Sequence, residues 1–251
     1  MPENKLLVRK AAVLGAGVMG AQIAAHLVNS GVPAVLFELA AKDGPRNGLV
    51  DKAIAGLAKL SPSPLGTKGV AAEIVGANYD DHLELLRDCD LIIEAVFENL
   101  DIKLQVYSKI APYINEHAVV ASNTSGLSIT KLSEALPDTL KPRFCGIHFF
   151  NPPRYMHLVE LIPSATTDAA TMDNLESYVT STLGKRVVRA KDTPNFIGNR
   201  IGVFSIAATM YHTEKFGLSF DAVDALTGPL IGRPKSATYR TSDVVGLDTM
   251  A

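Results

Sequence analysis

Apolar runs of strand length recur along the first part of the chain, at residues 10–14, 33–37, 74–79, 90–96, 118–122 and 143–150. Stretches with helical spacing lie between them, at 21–28, 51–60 and 100–113, with shorter turns of helix near 66–76 and 81–87. Asp80 or Asp81 is the expected cap of the last of these. Buried runs that alternate with helices predict a doubly wound, mainly parallel α/β sheet. The pattern changes at Asn151. Residues 151–155 read as a turn, and the apolar run 156–162 follows with no room for a helix, so it pairs antiparallel with its predecessor. A helix over 168–183, stopped by Gly184, and a strand over 185–189 complete an antiparallel end to the sheet. Beyond Asp192 the pattern is helical, at 197–216, 221–226 and 238–245. Two domains are expected, 1–192 and 193–251. The second is all-helical and small, and reads as the truncated start of a larger one.

The first strand runs into Gly15-Ala-Gly17-Val18-Met19-Gly20 and then a helix rich in small residues. Strand, G-x-G-x-x-G and helix together form the fingerprint of a Rossmann-type dinucleotide site. Gly15 allows the tight turn, Gly17 lets backbone approach a pyrophosphate, and Gly20 lets the helix lie against the strand. Glu38 ends the second strand, about twenty residues on, where a carboxylate accepts from a ribose hydroxyl and repels a 2′-phosphate. The first cation after it is Lys42. NAD is therefore expected over NADP.

Composition adds exclusions. The chain has 251 residues, 47% of them hydrophobic, and a net charge of −2, with no basic tract to suggest nucleic acid or an anionic membrane. Two distant cysteines, Cys89 and Cys145, argue for a reducing compartment and against a disulfide framework or zinc cluster. No secretory h-region, transit peptide or membrane-length apolar run is visible. The expectation is a soluble, cytoplasmic protein without a metal.

In open parallel sheets ligands sit at the carboxyl ends of strands. Four polar clusters fall there: Glu94 to Glu98, Ser122 to Ser125, His148 with Asn151, and Glu160 on the returning strand. A hairpin centred on residue 154 sets His148 opposite Glu160, on one face of the sheet. A carboxylate there would fix the tautomer of a general base. The residues alone leave open whether this is a base or a structural pair. A one-residue slip would put the two side chains on opposite faces. Ser125 and Asn199, taken alone, read as turn and helix-start residues.

As a set, several motifs resemble the L-3-hydroxyacyl-CoA dehydrogenase family of fatty acid β-oxidation. They are Val13-Leu-Gly-Ala-Gly-Val-Met-Gly20, Ile93-Glu-Ala-Val-Phe-Glu98, Ala121-Ser-Asn-Thr-Ser125, Gly146-Ile-His-Phe-Phe-Asn-Pro152, Leu158-Val-Glu160 and Lys191-Asp-Thr-Pro-Asn-Phe-Ile-Gly-Asn-Arg200. The resemblance implies NAD-linked oxidation of a hydroxyacyl-CoA with His148 as base and Glu160 as its partner. It implies that Ser125 and Asn199 hold the reacting part of an acyl-CoA substrate, and that Lys59 contacts CoA. Gly15, Gly17, Val18, Met19, Gly20, Glu38, Ala95, Glu98, Lys103, Ser125 and Asn151 become the implied NAD contacts. It further implies a homodimer in the full-length form. Pro152-Pro-Arg-Tyr-Met-His157 resembles long multifunctional members, of which this chain would be the dehydrogenase portion. Three positions depart from the pattern. Asn195 stands where Gly is usual, Gly126 where Ser is frequent, and Pro153 comes one place early. Two other classes stay open: an NAD-dependent dehydrogenase of short β-hydroxyacids without CoA, and a nucleotide-binding module inactive in this fragment.

Overall fold

The apolar runs assemble into one eight-stranded sheet in the order β3-β2-β1-β4-β5-β6-β7-β8. The computed structural model describes residues 6–245. The strands are β1 (Ala11–Leu14), β2 (Ala34–Glu38), β3 (Ile74–Asn78), β4 (Leu91–Glu94), β5 (Val119–Ser122), β6 (Phe144–Phe149), β7 (Leu158–Pro163) and β8 (Arg186–Arg189). The first six are parallel. β7 pairs antiparallel with β6, and β8 parallel with β7, so the last two strands run against the rest.

Alternate strand residues point to opposite layers. Val13, Leu36, Ile93, Ala121 and Ile147 face α1 (Val18–Asn29), α2 (Gly48–Leu57) and α5 (Ala169–Ser181). Leu14, Val35, Ile92, Val120, Phe144 and Ile162 face α3 (Leu100–Ile110) and α4 (Ile129–Ser133). The connection between β2 and β3 carries α2 and a short 3-10 turn.

Two local expectations are corrected. The segment after β3 is a 3-10 turn, Leu83–Asp88, and neither Asp80 nor Asp81 caps it. Both instead pair with Arg46, and Asp80 also with Lys109. α4 lies in a stretch to which the sequence pattern assigns no element. Its N-terminus is capped by Ser128 and by the distant Asp192, which accepts from Ser128 Oγ and the N–H groups of Ile129 and Thr130 at 2.9 Å each.

The chain divides into two compact units at Phe196–Ile197. The second unit holds α6 (Gly198–Lys215), α7 (Phe220–Thr227) and α8 (Tyr239–Val245). Within it Asp224 accepts from the N–H groups of Thr238, Tyr239 and Arg240, capping α8. Phe204, Phe216, Phe220 and Leu230 are exposed.

Candidate active site

The glycine loop leaves β1 with Gly15 at φ 98°, a left-handed conformation that L side chains rarely adopt. A Cβ on Gly20 would sit 1.8 Å from the Gly15 carbonyl oxygen, so α1 packs on the loop only because that atom is absent. A Cβ on Gly17 would meet nothing. The first turn of α1 has neither a side-chain cap nor an acidic residue, unlike α3 and α4, which Asn99 and Ser128 cap. Open space beside uncapped amides fits a pyrophosphate. Val18 is exposed and Met19 half-buried in that turn. Glu38 reaches back to the loop, where its Oε2 accepts from the Ala16 N–H at 2.8 Å. These groups fit a dinucleotide with an adenosine ribose at Glu38.

β4 ends in a fully buried carboxylate. Glu94 Oε1 accepts from Lys103 Nζ at 2.6 Å and from the Val96 N–H at 2.8 Å, while Oε2 accepts from Ser122 Oγ at 2.6 Å and Tyr107 Oη at 2.8 Å. Burial, and then the charge of Glu94, push the Tyr107 hydroxyl well above its ordinary range. The Lys103 side chain is 1% exposed and also lies 3.2 Å from Glu98 Oε2. Glu98 accepts from the Thr124 hydroxyl and, at 2.8 Å, from the Ser125 N–H. Burial raises the pKa of Glu98, but the Lys103 charge and these hydrogen bonds outweigh it and leave the carboxyl below its usual range. Ala95 donates its N–H to Leu14 O at 2.8 Å, tying the end of β4 to the last residue of β1, just before the glycine loop.

His148 pairs with Glu160 in the β6–β7 register. Its Nδ1 is 2.8 Å from Glu160 Oε2, with both side chains almost wholly buried. The Phe150 ring lies 4.5 Å from the imidazole and the Phe196 ring 5.7 Å. Behind the histidine, Asn123 Oδ1 accepts from the Phe149 N–H at 2.9 Å, joining the end of β5 to β6. Asn151, just past β6, receives a 3.5 Å hydrogen bond from Gln22 of α1.

The first unit thus gathers the glycine loop, Glu38, Ala95, Glu98, Ser125, Asn151 and His148 at the carboxyl ends of β1, β2, β4, β5 and β6, where Lys103 of α3 and Glu160 of β7 join them. Lys59 is exposed in the turn after α2, outside this network. Asn199 is a half-buried residue in the first turn of α6, in the second unit. Four residues to which the sequence pattern assigns no individual role, Gln22, Tyr107, Asn123 and Thr124, also join the network. The run Ser122 to Ser125 carried a signal for two of them; nothing local marks Tyr107 or Gln22. The departures at 195 and 126 meet in space. Asn195 has φ 62°, where glycine is easiest and asparagine tolerated, and its Oδ1 lies 3.5 Å from where a Cβ on Gly126 would be. Among the described residues no group of His, Cys, Asp and Glu could hold a metal ion, and no helix is long and apolar enough to cross a membrane.

A family model described as "3-hydroxyacyl-CoA dehydrogenase, NAD binding domain" matches residues 10–193. The chain belongs to this family. Two relatives, each named "Probable 3-hydroxyacyl-CoA dehydrogenase", are similar over 97% of the chain. The one from Bacillus subtilis is 43% identical and the one from Deinococcus radiodurans 42%. The chain spans 33% of the first relative's length and 71% of the second's. Among solved structures of the family, (S)-3-hydroxybutyryl-CoA dehydrogenase PaaH1 from Ralstonia eutropha matches with a TM-score of 0.81 at 30% identity, over 97% of this chain and 84% of that one. NAD is the cofactor of the domain so matched.

Proposed function

We propose that this chain is the dehydrogenase portion of a longer, multifunctional protein of fatty acid β-oxidation that oxidises the 3-hydroxyl of L-3-hydroxyacyl-CoA to a 3-oxo group. The observation that carries the reading is the buried His148–Glu160 pair, 2.8 Å apart, at the same sheet edge as the glycine loop. NAD, when bound, would supply the hydride acceptor for the C3 hydrogen. His148 takes the hydroxyl proton as the C–O bond becomes C=O, and Glu160 balances the charge gained by the imidazole. Ser125 and Asn199 hold substrate oxygens, and Lys59 reaches CoA. Gly15, Gly17, Val18, Met19, Gly20, Glu38, Ala95, Glu98, Lys103, Ser125 and Asn151 form the NAD site. Within it Lys103 acts through the position it gives Glu98, since its own ammonium is buried.

The working protein is a cytoplasmic homodimer, with residues 1–192 as NAD-binding domain and 193–251 as the start of the helical one. The Bacillus relative, three times the matched length, supports a longer protein. Two buried free thiols fit a reducing compartment.

The decisive experiment is His148→Gln in the full-length enzyme. Turnover of a hydroxyacyl-CoA is expected to fall by about 100-fold or more, with NADH affinity unchanged. A variant that keeps most of its turnover would refute the role. Activity on the free hydroxyacid equal to that on the CoA thioester would instead favour a dehydrogenase that does not use CoA.

A further inference from the structure

We infer that Phe196 is a positioning residue for His148: its ring, together with that of Phe150, fixes the plane of the imidazole. The inference rests on the reading of His148 as the base. One hydrogen bond to Glu160 anchors Nδ1 but does not fix the ring plane, because the torsion next to an sp² ring is intrinsically broad. Packing must supply the rest. The two phenyl rings stand at 4.5 and 5.7 Å from the imidazole, each inclined at 58°. These distances lie within the range of specific aromatic pairs.

The two rings arrive by different routes. Phe150 lies two residues beyond His148, on the same face, and follows from the strand. Phe196 comes from the far end of the first unit and needs a special backbone. It has φ 47°, directly after Asn195 at φ 62°. Two successive non-glycine residues in the left-handed region are rare, and a bulky one is an outlier that persists only where its surroundings hold it. Here the holding groups are visible. The Phe196 N–H donates to Thr193 O at 3.0 Å. Asp192 is locked to the N-terminus of α4 by three hydrogen bonds. The Asn195 amide lies over Gly126, beside Ser125. The segment 192–196 therefore touches the turn that carries Ser125 and, one residue on, the ring of His148. Phe196 is 2% exposed. Burial alone would not require left-handed backbone; delivery of the ring to this one place does.

The test uses the full-length enzyme with Phe196→Ala, Phe196→Leu and Phe196→Tyr, and His148→Gln as reference. Three quantities are read: kcat and KM for a hydroxyacyl-CoA, NADH affinity by fluorescence, and the His148 ring resonance in ¹³C-histidine-labelled protein, assigned by its loss in His148→Gln. Phe196→Ala is expected to lower kcat by about tenfold or more while NADH affinity stays within about twofold, and to broaden or shift the His148 resonance. Phe196→Tyr, which keeps the ring, is expected to restore both, and Phe196→Leu, which keeps the bulk alone, is not. An unchanged kcat and resonance in Phe196→Ala would overturn the inference; should that variant not fold, the same result in Phe196→Leu would do so. If His148→Gln keeps its turnover, the base reading has failed instead, and the resonance of the Phe196 variants still decides whether the ring is clamped.

Discussion

Glu38 anchors the glycine loop through the Ala16 N–H and places a negative charge where an adenosine ribose would lie. Glu38→Ala removes both the acceptor for a ribose hydroxyl and the repulsion of a 2′-phosphate. The ratio of NAD to NADP efficiency is expected to fall by about tenfold or more, since charge-assisted hydrogen bonds are the stronger class. Steady-state kinetics with each cofactor measures it, and an unchanged ratio would remove the role. At this scale much was legible. His148 and Glu160 face one another because they are directly opposed in the antiparallel β6–β7 pair, and opposed residues share a face. Lys103 was not legible in the same way. Its place in the sequence reads as an ordinary helix position, and only the packing of α3 on β4 reveals that its ammonium is enclosed by two carboxylates.

That enclosure is a property of elements. Lys103 and Tyr107 sit one turn apart on α3, and both bond Glu94 at the end of β4, which Ser122 of β5 also reaches. Three elements are thereby fixed at the edge where the site lies, and Glu98 hangs from the same lysine. Removing one member of a buried ion pair leaves the other charge uncompensated, at a cost of about 3–5 kcal/mol. Lys103→Met is expected to show that loss in urea denaturation and to weaken NADH binding as Glu98 loosens. A loss below about 1 kcal/mol would mean that Glu94 is adequately held by its neutral donors. Elements were read well where an apolar period ran long enough. α4 escaped because it has five residues and its cap, Asp192, lies in a distant segment. No local pattern carries that contact.

On the scale of the molecule, Arg154 and the neutral His26 tie the antiparallel end of the sheet to its parallel beginning, and the buried Lys185 holds the loop that carries Arg154. Lys185 donates to Pro153 O and, at 2.9 Å, to Met156 O; Arg154 donates to Ser63 O and Leu65 O; His26 of α1 donates from Nε2 to Leu183 O at 3.0 Å. Nδ1 of His26 is buried without a hydrogen-bond partner. Burial, and then the charge of Lys185, lower the pKa of His26 from 6.5 to about 4. The sign follows from which state binds the proton first. As pH falls below 6.5 the unfolded chain protonates this ring while the folded one does not, so folding loses stability down to about pH 4, where both forms are charged. The loss across that window is up to roughly 3 kcal/mol, at about 1.4 kcal/mol per pH unit. Carboxylates titrate in the lower part of the same window, so a difference isolates the histidine. His26→Gln keeps an N–H donor for Leu183 O and cannot be protonated. Urea midpoints measured from pH 7 to pH 4.5 should fall more steeply for the natural chain than for the variant, with the curves converging near neutrality. Parallel curves would mean that the ring is charged in the folded molecule, and the neutral bridge between the two ends of the sheet would have to be abandoned.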